Sequence, residues 1–426
     1  MRLIFVSRVM SGFAASLRDG IWAPTGAPAI HRLMSKIVTG VPDTRFILLC
    51  REAGFDFQAP WTTSRDIELR LAGFPAPMRV LAGAHALPKV FGRLRGHLAE
   101  LRQLLILLAE IRRFRPDAVY FERGTALLAG IVARLMPGRV VLRLLGILPW
   151  MNELAASRSI YHCLLRWAYR APFGLVICSE DGSGGESWMA ENLARDVPRV
   201  VMLNGVDSQP ADPDQPALRS IPDGRVVVLM LGRLEKLRRC EDFIEAVLAL
   251  PDDCRARIHA LVVGDGPLRA QLVERVNRAG GQETFTFAGA LPPQGVAAAL
   301  RRSDIYVMLN DMCCLTNTTL EALRAGLCPV VLEPPGHLAD DRATKRLLPA
   351  DIAIRIPRGP ADEVRSTLVR TLARLVAAPE ELSRRRARVA AIATTELGDW
   401  DARLSRELEM IERVADGRSP TEAAVG

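Results

Sequence analysis

Short apolar runs alternate with amphipathic stretches along most of the chain. Runs such as 2–7, 44–50 and 117–122 are rich in β-branched and aromatic residues and too short for helices, so they are predicted as buried strands. Helical patterns fall between such runs, and the longest covers 92–114. Strands and helices that alternate in this way are typical of doubly wound parallel sheets, so the pattern predicts an α/β protein.

The alternation occurs twice, on either side of a proline-rich stretch. Residues 207–224 contain four prolines and no periodicity, which predicts a linker or hinge. The front half continues with predicted strands at 139–145, 174–179 and 199–204. The second half has predicted strands at 225–232, 258–264, 283–289, 304–309, 328–333 and 351–356. We therefore predict one Rossmann-like domain over 1–206 and another over 225–396.

Charge separates the two halves. Residues 1–205 carry 26 Lys and Arg and 16 Asp and Glu, a net +10, whereas the remainder carries 30 and 32, a net −2. A basic first domain is expected to face something anionic. Only 5% of the residues are aromatic and no stacking motif is present, so nucleic acid is not expected and an anionic membrane surface fits better.

The remaining bulk features favour a protein of the reducing cytoplasm. No apolar run is long enough to span a membrane, and the first residues are interpreted as a strand and not as a signal peptide. The eight cysteines are scattered, with no C-x-x-C pair and no histidine cluster at metal spacing, so neither disulfides nor a metal is expected.

The loops after the second-half strands are where a ligand is expected, because ligands of parallel sheets bind beyond the carboxyl ends of the strands. After 225–232, Gly232 permits a tight turn and four cations follow before the next helix: Arg233, Lys236, Arg238 and Arg239. Cations near a helix N-terminus are unfavourable unless an anion lies among them, and a diphosphate would supply one. The alternative is a set of solvated surface arginines.

A second candidate loop follows the strand at 304–309. "TNT" (316–318) begins a helix whose N–H groups can hold an anion, and Glu321 lies one turn further on, where it could accept hydrogen bonds from a vicinal diol. The alternative for Glu321 is an acid that favours the helix N-terminus on dipole grounds alone. Gly264, in "GDGPLR", would let a ligand approach the backbone.

Six motifs in order resemble glycosyltransferase family 4. They are "NGVD" (204–207), "GRL" (232–234), "VVGDGPLR" (262–269), "FAGAL" (287–291), "SDIYVM" (303–308) and "LEALRAGLCPVV" (320–331). The resemblance implies the GT-B fold, which consists of two facing Rossmann-like domains. It also implies that residues 397–416 form a helix that crosses back to the first domain.

The resemblance implies roles for individual residues. Arg233 and Arg238 would clamp the donor diphosphate and stabilise the leaving group, and Glu321 would bind the ribose of the nucleotide. The other implied donor-binding residues are Gly26, Gly232, Lys236, Gly264, Leu291, Leu315, Thr316, Asn317 and Thr318. The nucleotide sugar would be a substrate, and no cofactor or metal is implied.

Two positions depart from the family pattern. A second glutamate usually lies eight residues before Glu321, where this chain has Cys313, and "DMCCLTN" (311–317) resembles a variant loop of the form D-x-S-N-L-x-N. Cys313 and Cys314 are therefore interpreted as substitutions in a binding loop, with a redox pair as the alternative. Many members also carry a histidine where this chain has Gly146, which leaves no catalytic base assigned in the first domain.

The function implied is retaining transfer of a sugar from a nucleoside diphosphate donor, most often a UDP-sugar. The acceptor would be lipid-linked or a polysaccharide or glycoconjugate of the cell envelope, bound at the inner face of the membrane. The alternatives are a non-catalytic nucleotide-sugar-binding scaffold and another GT-B enzyme such as a sugar-nucleotide epimerase. An apolar stripe in the long helix is expected to pack against the sheet, while flanking arginines contact the membrane; it comprises Phe91, Leu94, Leu98, Leu101, Leu105 and Leu108.

Overall fold

The computed structural model describes residues 1–51, 61–212, 214–334 and 342–424. The chain divides into two compact units. The first comprises Met1–Ser179, Glu186–Met202 and Asp401–Gly426, and the second comprises Glu180–Gly185 and Leu203–Trp400. Each unit is built around its own sheet.

The first unit contains an eight-stranded sheet in the order β3-β4-β2-β1-β5-β6-β7-β8. All neighbouring strands are parallel except β3, which pairs antiparallel with β4 at the edge. The strands are β1 (Leu3–Arg8), β2 (Thr44–Leu49), β3 (Ile67–Leu69), β4 (Met78–Leu81), β5 (Ala118–Glu122), β6 (Val140–Leu144), β7 (Leu175–Ser179) and β8 (Arg199–Met202). The helices that follow these strands in the front half of the chain are α1 (Ala14–Asp19), α2 (Pro28–Gly40), α3 (Arg95–Phe114), α4 (Ala126–Leu135), α5 (Pro149–Asn152), α6 (Ile160–Tyr169) and α7 (Gly185–Asn192).

The second unit contains six parallel strands in the order β11-β10-β9-β12-β13-β14. The strands are β9 (Val226–Leu231), β10 (Ile258–Val263), β11 (Phe285–Gly289), β12 (Ile305–Met308), β13 (Cys328–Leu332) and β14 (Ile354–Ile356). The remaining helices are α8 (Cys240–Leu248), α9 (Asp252–Arg255), α10 (Arg269–Arg278), α11 (Pro293–Arg302), α12 (Asn317–Arg324), α13 (Arg342–Leu347), α14 (Ala361–Ala377), α15 (Pro379–Glu396) and α16 (Trp400–Ala415).

Strand β9 shows why these apolar runs fold as central strands. Its residues point alternately to the two faces of the sheet: Val228 and Met230 belong to one core cluster, and Val227 and Leu229 belong to the other. Both faces are covered, so a continuous apolar run is required and no polar alternation is seen. The α/β class and the two Rossmann-like sheets that the sequence predicts are confirmed, and only β3 and β4 lack a predicted counterpart.

Most of the apolar stripe of the long helix does not pack against the sheet, so that prediction is wrong for four of its six residues. Leu98 is half-buried, and Leu108 packs against the core of the first sheet. Helix α3 buries Ala99, Gln103, Leu107 and Glu110, which lie on its other side. The stripe residues Phe91, Leu94, Leu101 and Leu105 are exposed. The buried polar groups have partners, since Gln103 donates to the carbonyls of Cys50 and Ala82 and Glu110 pairs with Arg45 and Arg79.

Helix α16 is fixed to the first unit by a buried carboxylate. Glu407 is fully buried; its carboxylate accepts a hydrogen bond from the Tyr120 hydroxyl at 2.9 Å and pairs with Arg403. The Nε atom of Arg143 lies 3.6 Å from it. Burial alone would raise the pKa of Glu407, but the charges of Arg403 and Arg143 outweigh burial and hold it below the usual value.

Residues 207–224 are mostly irregular, apart from the short turn Pro216–Leu218, and belong to the second unit. Within the described part of the chain, no helix combines the length and hydropathy that crossing a bilayer would require.

Candidate active site

The second sheet has its topological switch point between β9 and β12. The chain proceeds from β9 through β10 to β11 on one side and then returns to β12 on the other, so the loops after β9 and β12 separate and leave a crevice. The loop after β9 carries Arg233, Lys236 and Arg238, and the loop after β12 leads into α12. The two loops of greatest interest in the sequence therefore flank one crevice.

Glycines let the β9 and β10 loops meet backbone to backbone. Gly232 and Gly264 have φ of 136° and 131°, in the region that favours glycine. A Cβ on Gly264 would lie 1.9 Å from the carbonyl oxygen of Gly232, so no side chain fits there. The amide of Leu234 donates to the carbonyl of Asp265 at 2.9 Å, and that of Gly264 donates to the carbonyl of Gly289 at 2.7 Å. The floor of the crevice is thus bare backbone.

The cations after β9 have different partners. Arg239 is committed to protein carboxylates, because its Nε donates to Asp311 at 2.8 Å and its Nη1 lies 3.6 Å from Asp242. Asp311 also accepts from Arg358 at 2.9 Å. Arg233 pairs loosely with Glu235 at 3.6 Å, and Lys236 is exposed. Arg239 is therefore not available to a bound anion, and three of the four predicted cations remain: Arg233, Lys236 and Arg238.

Arg238 has no carboxylate partner among the described residues. Its guanidinium lies over Gly232, with Nη1 2.8 Å from the position that a Cβ would occupy and 4.0 Å from the Met308 Sδ. Its Nε is buried and makes no hydrogen bond within the described structure. A half-buried guanidinium left in this state favours an anionic ligand, because burying an uncompensated charge is costly.

The N-terminus of α12 is an ordered hydrogen-bonding surface. Thr316 caps the helix by accepting from the Thr319 amide at 3.3 Å. Thr318 shares a hydrogen bond of 2.8 Å with the Tyr306 hydroxyl, and Asn317 accepts from Asn204 at 2.7 Å. Burial raises the pKa of Tyr306, while the hydrogen bond to Thr318 and the charge of Arg238 oppose the rise. Arg238 and Thr318 of α12 therefore both oppose the rise in the pKa of the Tyr306 hydroxyl.

Glu321 lies on α12 one turn beyond these residues and is half-buried. Leu315 is buried in the core cluster of the second sheet, and its amide donates to the Asp181 carbonyl at 2.9 Å. Neither its side chain nor its amide is therefore free for a ligand in this structure. Leu291 follows β11 and is partly buried against the same cluster. The predicted residues of the second half therefore fall on the loops after β9, β10, β11 and β12.

The segment Glu180–Gly185 was missed as part of this region. It belongs to the second unit although it directly follows β7, and Gly182, with φ of 83°, packs so closely on Cys314 that a Cβ would lie 2.6 Å from its Sγ. Asp181 in this segment accepts hydrogen bonds from Ser183. Nothing in the sequence signals that residues 180–185 meet residues 313–315, because the contact is long-range and between irregular segments.

The two adjacent cysteines differ in environment. Both are free thiols; Cys314 is buried with its Sγ 3.3 Å from the Thr344 Oγ1, whereas Cys313 is half-buried and accepts from Asn310 at 3.6 Å. Burial raises the pKa of Cys313 well above its usual value, and Asp181 adds to the rise. A protonated thiol of this kind is a weak nucleophile, which favours substitution in a binding loop over a reactive pair.

Two predicted or discussed positions lie in the first unit. Gly26, with φ of 64°, is exposed in the turn before α2. Gly146, with φ of 105°, follows β6 and its carbonyl accepts from Arg123 at 3.5 Å. Over the described ranges, no group of three His, Cys, Asp or Glu side chains could hold a metal ion.

Comparison with known proteins defines the class. Residues 213–340 match the family model described as Glycosyl transferases group 1. The fold is that of sucrose-phosphate synthase from Thermosynechococcus elongatus, with a TM-score of 0.68, 13% identity and coverage of 98% of this chain and 100% of that one. It also matches Anabaena Alr3699/HepE, solved in complex with UDP, with a TM-score of 0.65, 16% identity and coverage of 97% and 100%. The protein therefore has the GT-B fold and carries a glycosyltransferase group 1 domain.

The chain is also similar to two proteins whose names state an activity. The chain is 28% identical to 2-deoxystreptamine glucosyltransferase of Streptomyces kanamyceticus, over 58% of this chain and 73% of the relative. It is 30% identical to 2-deoxystreptamine N-acetyl-D-glucosaminyltransferase of Streptomyces fradiae, over 62% of this chain and 66% of the relative. The resemblance to glycosyltransferases is thus confirmed at the level of group 1, and the assignment to family 4 stays a prediction.

Proposed function

We propose that this protein transfers a hexosyl group, with retention of configuration, from a nucleoside diphosphate sugar to a hydroxyl of its acceptor. The observation that carries the donor assignment is Arg238, a half-buried cation at the switch point without a carboxylate partner in the described chain. Uridine is proposed as the base, because HepE was solved in complex with UDP and with UDP-glucose. The pneumococcal O-GlcNAc transferase GtfA was likewise solved with UDP and GlcNAc.

In the proposed reaction, the bond between the sugar C1 and the diphosphate oxygen breaks and negative charge develops on the diphosphate. Arg233, Arg238 and the N-terminus of α12 would stabilise that charge, which lowers the barrier without a protein nucleophile. The acceptor oxygen would attack C1 from the face that the diphosphate leaves, and the proton of the acceptor would pass to a donor phosphate oxygen. Glu321 would hold the ribose, and the backbone at Gly232 and Gly264 would lie beside the nucleoside. Gly26, in the turn before α2, is proposed as a further donor-binding residue.

For the acceptor, we propose an anionic glycoconjugate or lipid-linked sugar in place of the 2-deoxystreptamine that names the two relatives. An aminocyclitol is cationic and needs carboxylates, but residues 1–205 carry a net +10. Two carboxylates near the carboxyl end of β1 and β5, Glu100 and Glu122, are already bound to Arg8. Contact with an anionic membrane surface is part of this proposal, and a cytoplasmic location stays a prediction.

Calorimetric titration with UDP, GDP, ADP and NAD tests the donor site. We expect one nucleoside diphosphate to bind and Arg238→Ala to weaken its binding at least about tenfold. The matched control is Arg278→Ala, which removes an exposed arginine on α10 that pairs with Glu274. No binding of any nucleotide, or equal binding by both variants, would reject the donor assignment.

Transfer assays then separate an enzyme from a nucleotide-sugar-binding scaffold. Wild-type protein and Glu321→Ala are compared for hydrolysis of the donor that calorimetry identifies and for transfer to a polyprenyl-diphosphate-linked sugar or to 2-deoxystreptamine. We expect transfer by the wild type to the lipid-linked sugar and loss of transfer in Glu321→Ala. Nucleotide binding without hydrolysis or transfer by the wild type would favour the scaffold, and transfer to 2-deoxystreptamine would overturn the acceptor proposal.

A further inference from the structure

Large apolar side chains are concentrated on one part of the first unit. Of the twelve that the described residues leave exposed, nine lie on α3, the turn before it, α4 or α6. We use the name α3–α6 face for the surface formed by Leu94, Leu101, Leu105, Ile160, Leu164 and Trp167. Side chains on each helix are three, four or seven residues apart, so each helix contributes one continuous row.

Helix α3 has polar residues on its buried side and leucines on its exposed side, the reverse of a helix that covers a sheet. Its inner side holds Gln103, which is 0% exposed, and Glu110, which is 8% exposed. Its outer side holds Leu101 and Leu105, which are 51% and 59% exposed. Polar groups inside and leucines outside indicate that the outer face has another apolar partner, because contiguous exposed apolar surface mainly occurs at interaction sites.

A groove runs between α3 and α6, with α4 as its floor. Its volume is about 660 Å³, and apolar side chains from all three helices line most of it, including Leu104, Leu128 and Ile131. A groove of this size accommodates hydrocarbon. The exposed leucines of α3 and α6 form its walls, so the groove and the α3–α6 face are one apolar surface.

The charge around this surface favours an anionic occupant. Residues 123–179 contain one acid, Glu153, and seven arginines, of which Arg143 is fully buried. Neither α4 nor α6 contains an acid, and the acid of α3 that lines the groove, Glu100, is paired with Arg8. Arg158 and Arg170 are exposed at the two ends of α6, and the guanidinium of Arg134 lies 3.6 Å from the centre of the Trp167 ring. A second copy of this chain would bring arginines against arginines, whereas acidic lipid headgroups attract each exposed arginine by about 1 kcal/mol.

We propose that the α3–α6 face docks on an anionic lipid bilayer, with its leucines, Ile160 and Trp167 at the boundary between headgroups and acyl chains. Amphipathic surfaces of this composition bind in the plane of the interface, where tryptophan is enriched. The inference names the surface for the membrane contact included in the proposed function. It does not require a functional donor site.

Vesicle flotation tests the docking. The full chain is mixed with vesicles of phosphatidylcholine alone or of phosphatidylcholine and phosphatidylglycerol at about two to one. We expect flotation with the anionic vesicles and at least about a tenfold weaker affinity for the combined variant Leu101→Ser, Leu105→Ser, Leu164→Ser. The matched control is Ile21→Ser, which changes an exposed isoleucine, 55% exposed, outside the face.

A second measurement, of tryptophan quenching, tests whether Trp167 of the α3–α6 face enters the bilayer. Lipids with brominated acyl chains should quench part of the tryptophan fluorescence, and Trp167→Phe should remove that part while leaving flotation measurable. Nucleotide titration of the triple serine variant should match the wild type, which shows that the fold is retained and separates failure of docking from failure of the donor site. Equal flotation of the triple variant and the wild type, no flotation at all, or a dimer in light scattering that the triple variant dissociates would each overturn the proposal.

Discussion

The two sheets share a strand order around their switch points, but the arginine at each switch point has different partners. In the first sheet, the switch lies between β1 and β5, and Arg8 at the end of β1 is 5% exposed. Its Nη2 donates to Glu100 at 2.5 Å, its Nη1 to Gln103 at 3.0 Å and its Nε to the carbonyl of Gly124 at 3.1 Å. In the second sheet, Arg238 faces the equivalent crevice without such partners in the described chain.

The comparison shows that a cation at a switch point is not by itself a ligand site. In the first unit the chain supplies its own carboxylate, because Glu100 pairs with the Arg8 guanidinium, while Glu122 accepts from the amides of Arg8 and Gly124. The charge is neutralised internally, and the result is stability. In the second unit the cation is left for an external anion, and the proposed result is binding.

The largest expected effect is on the stability of the first unit. Arg8→Met would remove the guanidinium that pairs with Glu100 and bonds Gln103, so we expect the free energy of unfolding to fall by about 3–5 kcal/mol. Urea denaturation followed by fluorescence measures the loss. The control is Arg2→Met, which breaks an exposed pair with Asp117 at 3.5 Å and should cost less than about 1 kcal/mol. Equal stability of the two variants would contradict the buried network as a stabilising feature.

The second prediction concerns a variant in which Arg238 gains a carboxylate partner, as Arg8 has in the first sheet. Met308→Glu would place a carboxylate beside Arg238, because the Met308 Sδ lies 4.0 Å from Nη1. We expect nucleotide affinity to fall by about 100-fold, equivalent to about 2.8 kcal/mol, since the donor diphosphate would meet an occupied cation and a new negative charge.

Met308→Gln is the control for this substitution, because it has the same size without the charge and should lose much less affinity. Calorimetric titration with the preferred nucleoside diphosphate compares the two. If the glutamine variant loses as much as the glutamate variant, packing and not charge controls the site.

A third prediction concerns the backbone floor of the crevice. Gly264→Ala would force a Cβ to within 1.9 Å of the Gly232 carbonyl oxygen at φ of 131°. We expect a loss of about 1–3 kcal/mol in stability and weaker nucleotide binding, because the β9 and β10 loops must separate. Thermal denaturation and titration measure both. Gly280→Ala, which also has positive φ (69°) but open space around the Cβ, should leave nucleotide binding unchanged.

The smallest expected effect is on the pH dependence of the second unit. Burial lowers the pKa of His259 to about 4, and its Nε2 lies 2.8 Å from the Thr286 Oγ1. Because the unfolded chain binds a proton near the ordinary histidine pKa, stability should fall as the pH drops from about 6.5 towards 4. His259→Gln keeps a hydrogen-bonding group but cannot titrate, so it should reduce the loss between neutral pH and pH 5 by about 1 kcal/mol. An unchanged pH profile of stability in the variant would show that His259 does not cause the loss at acid pH.

The sequence predicts the strands well because buried parallel strands are continuous apolar runs, of which β9 and β12 are examples. It fails for β3 and β4, which have three and four residues and too little periodicity to be recognised. It also predicts that α3 has an apolar stripe but not which side of the helix is covered. Periodicity fixes the geometry of one helix, whereas Gln103 and Glu110 are buried because of partners far along the chain.

The candidate site shows the same limit. Arg238 and Arg239 are adjacent and look equivalent in the sequence, yet Arg239 is bound by Asp311 and Asp242 while Arg238 is not. The difference depends on a carboxylate about seventy residues away, so only the tertiary structure resolves it. The loop positions themselves were predictable, because strand ends on one side of a parallel sheet must meet at the same edge.

The route of the chain through the two units has a consequence for synthesis. The first unit includes Asp401–Gly426, and Glu407 in α16 is the carboxylate between Tyr120, Arg143 and Arg403. Domains usually fold in the order in which the ribosome releases them. Here the second unit ends at Trp400, so all of it has been synthesised before the first can bury Arg143 against its counter-charge. Until then the nascent first unit lacks one helix of its final core and exposes surface that a chaperone could bind.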